Sequence, residues 1–165
     1  MKNSILWLVG AALAIASVAQ ADDPSAMKGM KTKAIFINAK DVTWAPGIPD
    51  LPKGVQMAVL LGDPTKSGAY ALRLKMPDGY KIPPHWHTQD EQLTVLDGQL
   101  VLHMGDSMTA EAHPLDVAGY HFLPGKMHHA AEAKGATVVQ IQGMGPFDIH
   151  YLNPADNPNP KAASR

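Results

Sequence analysis

From Ile35 onward, short apolar runs alternate with Gly, Pro, Asp and Asn, and no ten-residue stretch carries its apolar residues at helical spacing. Because successive side chains of a strand point to opposite faces, such runs predict strands rather than helices. Strands are expected at 34–38, 55–61, 69–76, 85–96, 99–104, 119–123, 129–133, 136–142 and 147–151. The clearest is 69–76, where Tyr70, Leu72, Leu74 and Met76 share one face and Ala71, Arg73 and Lys75 the other. Asp97-Gly98, between two such runs, predicts a tight hairpin, since Asp-Gly accepts the positive φ of those turns. Gly105-Asp106 and Lys134-Gly135 carry the same signal more weakly. The pattern is all-β, and periodicity alone fits both a sandwich and a closed double-sheet barrel.

The first residues break this pattern. Lys2, an apolar run from Ile5 to Ala19 and an Ala19-Gln20-Ala21 site have the form of a secretory signal, and the run is shorter than the ~20 residues a spanning helix needs. Residues 1–21 are therefore expected to be a cleaved signal peptide, with no membrane association afterwards and a periplasmic or secreted location. Residues 22–33 have no periodicity and read as a flexible arm, 34–152 as one β domain, and 153–165, with Pro154, Pro158 and Pro160, as an extended, poorly ordered tail. With 14 Lys+Arg against 15 Asp+Glu and no basic patch, nucleic acid is not an expected partner. The chain has no cysteine, which removes disulfides, thiolate ligands and a cysteine nucleophile.

Any metal must then be held by nitrogen and oxygen, and one stretch offers both. In Gly79-Tyr-Lys-Ile-Pro-Pro-His85-Trp-His87-Thr-Gln-Asp-Glu91, His85 and His87 share a strand face and Glu91 has the same parity. Imidazole and carboxylate suit one divalent transition metal: Zn, Mn, Fe, Cu or Ni.

Gly79 through Gly98 resembles the first motif of the cupin superfamily: Gly, five residues, His-x-His, three residues, Glu, six residues, Gly. The resemblance implies a single antiparallel jelly-roll barrel with a metal in its open end, held by three histidines and one glutamate. The third histidine would come from a second motif, here Ala118 to His129, where two registers compete. Anchoring on Pro124 makes His129 the ligand, and anchoring on Gly125 makes it His128. The proline favours His129, since its fixed φ sets the turn that aims the next strand.

Other side chains are candidates by position. Glu91, if it leaves the metal, and also His121 and Tyr120 on the approach to the second motif, are candidate catalytic groups, and Arg73 and His103 candidate substrate contacts. Arg73 suits a carboxylate, because its guanidinium donates two parallel hydrogen bonds. The resemblance implies a small-molecule metalloenzyme of oxygenase, lyase, decarboxylase or isomerase type, or a non-catalytic periplasmic protein that binds or senses a metal or small ligand. It also implies a homodimer.

Overall fold

Two strands of unusual length organise the molecule, β5 (Glu91–Met104) and β8 (His129–Gly145), which pair antiparallel along almost their whole lengths. The computed structural model describes residues 33–159. Each long strand serves both halves of one curled nine-stranded sheet. One half of β8 carries β3 (Gly68–Met76) on its free edge, with Met76 opposite Thr137, and β3 in turn pairs with β2 (Gln56–Leu61) and β2 with β1 (Ala45–Pro46). The other half carries β4 (Lys81–Trp86), which pairs at its far edge with β9 (His150–Tyr151). On β5, residues 91–94 pair with β7 (Tyr120–Leu123) and residues 100–104 with β6 (Glu111–Leu115). Every pairing is antiparallel, and no α-helix occurs among the described residues. The result is the expected jelly-roll barrel.

Strand alternation places the core between the two halves. Leu72, Leu74 and Met76 of β3, Leu93 and Val95 of β5, and Val139 and Ile141 of β8 meet Ile82, Leu100, Ala131 and Ala133 from the opposite half in one buried cluster. The bend that lets one strand pair serve both halves lies at Gly98. There the register jumps from Asp97 opposite Val138 to Gln99 opposite Lys134. Gly98 has φ of 72°, and a Cβ added to it would stand 2.4 Å from the Ala136 carbonyl oxygen. The Asp97-Gly98 hairpin is therefore corrected to a bulge inside one continuous strand, and Lys134-Gly135 likewise lies within β8. Both dipeptides supply positive φ, and the partner strand converts what reads locally as a reversal into a bend.

Three further expectations change. Residues 34–38 form no strand, and Ile35, Phe36 and Ile37 are exposed, with Ile35 and Ile37 lining a surface hollow beside Leu60 and Leu61 of β2. Glu111–Leu115 is a strand that its polar and proline content hides, as befits an edge strand bonded, among the described residues, only to β5. The expected 85–96 strand is two, because the chain leaves β4 after Trp86 and re-enters the sheet at Glu91. Of the expected tail, residues 154–156 form a 3-10 turn capped by the Asn153 side chain, and Asn159 donates to Asp50 Oδ1 at 2.9 Å. The expected signal peptide, and all of the arm except Lys33, lie outside the described residues, as do residues 160–165.

Candidate metal centre

His85 and His87 leave an extended segment on one side and are 2% and 6% exposed, while Trp86 between them turns outward and stacks on His150, ring centroids 4.0 Å apart. His129, the first residue of β8, lies directly opposite His85 in the ladder and is equally buried. One nitrogen from each of these three rings lies within 4.8 Å of the other two, a grouping that could hold a metal ion.

Hydrogen bonds on the far side of each ring fix its tautomer. Nδ1 of His85 meets the carbonyl of Pro83 at 2.7 Å, that of His129 the carbonyl of Met127 at 3.1 Å, and that of His87 the carbonyl of Asp148 at 2.5 Å. A carbonyl only accepts, so each Nδ1 carries the proton and each Nε2 keeps a lone pair. His87 Nε2 is buried with no hydrogen-bond partner. A buried acceptor without a donor is costly, and a cation between the rings would satisfy it. The donor set fits a metal.

Glu91 stands beside these nitrogens, 6% exposed, with Oε1 3.6 Å from His87 Nε2 and Oε2 3.5 Å from His129 Nε2. His121 of β7, also buried, donates from Nε2 to Glu91 Oε2 at 3.0 Å, and its Nδ1 has no partner. Burial, with the neighbouring imidazoles His129 and His87 adding to it, drives the titration of His85 well below the usual histidine range. Burial also lowers that of His87, more than Glu91 raises it. Burial opposes the charge of Glu91, yet the imidazoles around it, His87 first and then His121 and His129, outweigh burial and hold its carboxyl well below the usual range. His129 titrates above its ordinary value: burial lowers it, and the Glu91 carboxylate more than offsets that. The site thus keeps imidazoles next to an ionised carboxylate.

The segment after β8 completes the site. Phe147 lies nearly parallel to the His87 ring, centroids 5.3 Å apart. Asp148, whose carbonyl holds His87, has its carboxylate fixed by the Thr88 N–H at 2.8 Å and by His150 Nε2 at 3.1 Å. Between the nitrogens and the barrel floor lies a cavity of about 30 Å³, where Leu51, Leu93, Leu102, Phe147 and Ile149 are among the apolar walls.

Of the side chains singled out by sequence, the barrel gathers His85, His87, Glu91 and His129, with His121 behind Glu91. His128, the alternative fourth ligand, instead projects outward, with its Nδ1 2.7 Å from Asp106 Oδ1. Tyr120 is exposed and bonds Gln92 on the outer face. Arg73 donates from Nε to Gln140 Oε1 at 3.2 Å, and His103 is buried with Nδ1 3.5 Å from the Ala110 carbonyl. None of these four lines the cavity, so the structure does not bring Tyr120, Arg73 and His103 together with the three imidazoles. Strand alternation explains Arg73 and Tyr120, whose neighbours Leu72, Leu74 and His121 take the inward positions. Phe147, Asp148 and Ile149 carry no signal in the sequence, since no local motif marks residues about sixty positions from the histidine they adjoin.

The fold recurs in solved structures. A candidate acetylacetone dioxygenase from Methylibium petroleiphilum PM1 superposes with a TM-score of 0.60 at 18% identity, covering 78% of this chain and 88% of its own. The polyketide cyclase RemF from Streptomyces resistomycificus gives 0.60 at 14% identity, with 79% and 94% covered. An RmlC-like cupin from Shewanella frigidimarina NCIMB 400 gives 0.53 at 14%, with 70% and 94% covered. No curated protein matches the chain in sequence. A family model described as a domain of unknown function (DUF4437) matches residues 12–150, so the chain belongs to that family, and its jelly-roll fold is the one these cupin neighbours share.

Proposed function

We propose that the chain binds one divalent transition metal through His85, His87, His129 and Glu91 and uses it as an exported small-molecule metalloenzyme. One observation carries this reading: three buried imidazoles bring one nitrogen each within 4.8 Å of the other two beside a buried carboxylate, each ring held from behind by a main-chain carbonyl. When bound, the metal would supply Lewis acidity. The protein's own part falls to Glu91 and His121, which lie 3.0 Å apart and can pass a proton between Oε2 and Nε2. The named relatives include a candidate dioxygenase and a cyclase, which supports an enzyme without selecting a reaction. Export, read from residues 1–21, favours an air-stable ion such as Zn, Mn or Cu. The exposed Ile35, Phe36 and Ile37 support assembly as a homodimer.

A second reading, a non-catalytic binder of a metal or small ligand, is favoured by the cavity wall, which is apolar apart from His85, His87, Glu91 and His129. Elemental analysis of protein purified from its native compartment tests what both readings share. About one metal per chain is expected, falling to a small fraction of that in His129→Ala, and a stoichiometric metal retained in the variant would refute the site. Removing and restoring the metal during turnover of small oxygen-donor substrates separates enzyme from binder.

A further inference from the structure

The cavity beside the histidines is small, and its boundary is uneven. Its walls come mainly from barrel strands, and all of their side chains are buried except two, Phe147 and Ile149, which line the cavity and also reach solvent. Phe147 and Ile149 are thus the most exposed part of the cavity wall. They flank Asp148, which is tied at both ends of its carboxylate, and the Phe147 N–H donates to the Pro64 carbonyl at 2.7 Å. The Phe147 ring is held between His87, at 5.3 Å, and Tyr70, at 5.9 Å. The rim is thus a braced part of the structure.

The volume sets the size of what can enter. A water molecule needs roughly 10–15 Å³ of such space, so the cavity of about 30 Å³ holds about two. With a metal ion among the nitrogens, room is left for a ligand of about one to three heavy atoms. The apolar wall offers no hydrogen bond to a larger polar molecule.

We propose that Phe147 and Ile149 form a size-selective gate, and that the centre accepts small ligands of water, dioxygen or azide size while excluding bulky chelating ones. The proposal rests on the metal-binding reading above and narrows its substrate class. The Phe147 ring sets the limit by closing the space over His87, and Ile149 sets the other side of the opening.

Cobalt-loaded protein tests this by optical titration with azide and with benzohydroxamate, a bidentate ligand of about ten heavy atoms. In the wild type, azide should change the cobalt spectrum and benzohydroxamate should not. Phe147→Ala should bind benzohydroxamate at least tenfold more tightly than wild type and leave the azide affinity within about threefold. Ile149→Ala, which removes no ring from His87, should gain benzohydroxamate in the same direction. Wild type that binds benzohydroxamate as tightly as the variants, or loaded protein that admits neither ligand, would overturn the gate while the metal site stood. Protein that takes up no cobalt would overturn the metal reading and the gate together.

Discussion

Gly79 and Gly98 bound the histidine motif, and the structure requires them for different reasons. Both have left-handed backbone, with φ of 70° and 72°. At Gly79 an added Cβ meets nothing within 4 Å, whereas at Gly98 it meets the Ala136 carbonyl oxygen at 2.4 Å, Thr137 Oγ1 at 2.7 Å and Thr137 Cα at 2.9 Å. Alanine at either position carries the left-handed penalty of roughly 1–2 kcal/mol, offset by roughly 0.4–1 kcal/mol from the stiffer unfolded chain. Gly79→Ala should therefore cost about 1 kcal/mol. Gly98→Ala adds the displacement of a main-chain group in a packed strand pair, on the order of 1–3 kcal/mol, for a total of about 3. The difference of about 2 kcal/mol leaves both variants folded, since domains of this kind have roughly 5–15 kcal/mol in hand. Urea unfolding of metal-free protein measures it. With a slope of roughly 2 kcal/mol per M, unchanged between variants, the midpoint of Gly98→Ala should lie about 1 M below that of Gly79→Ala. Midpoints agreeing within about 0.2 M would refute the argument that close approach at the bulge, rather than φ, distinguishes the two.

Three other outcomes follow from the same geometry. Leu72→Ala, at a side chain with no solvent exposure, should cost about 2–5 kcal/mol by chemical denaturation, with the metal site formed in whatever fraction stays folded. A divalent metal at a hundred times its dissociation constant should stabilise the native state by about 2.7 kcal/mol, roughly 10 °C in Tm for a domain of this size, and His129→Ala should abolish the shift in calorimetry. Burial opposes the charge of Asp148, but hydrogen bonds from Thr88 and His150 outweigh it and hold its carboxyl below the usual range. A depressed native pKa gives stability that is present above the unfolded value of about 3.9 and lost as pH falls through the native one. Between pH 5 and pH 2, Asp148→Asn should accordingly lose less stability than wild type, read as the change in urea midpoint.

Local signals carried much of this architecture, and their reach marks where they stop. The parity of His85, His87 and Glu91 is a property of extended backbone, so it survives whatever the rest of the chain does. The Pro124 register points to the histidine that faces His85, because proline constrains its own turn. Gly98 and Gly135 were legible as positions of positive φ but not as bends, since a bend differs from a reversal only through a partner strand tens of residues away. The inward or outward direction of Arg73, His103 and Tyr120 likewise depends on which face of each strand the barrel closes upon. Phe147, Asp148 and Ile149 reach the site through β9 pairing with β4, a contact that no short window of sequence contains.

The carbonyls behind the three imidazoles have one more consequence. Every amino acid brings the same C=O to its peptide unit, so the grip on His85, His87 and His129 is inherited from the path of the chain and does not depend on which side chains stand at 83, 127 and 148. Met127 can be exchanged for any residue that keeps the local trace, and His129 will still be aimed. A centre anchored in this way can persist while the sequence around it drifts.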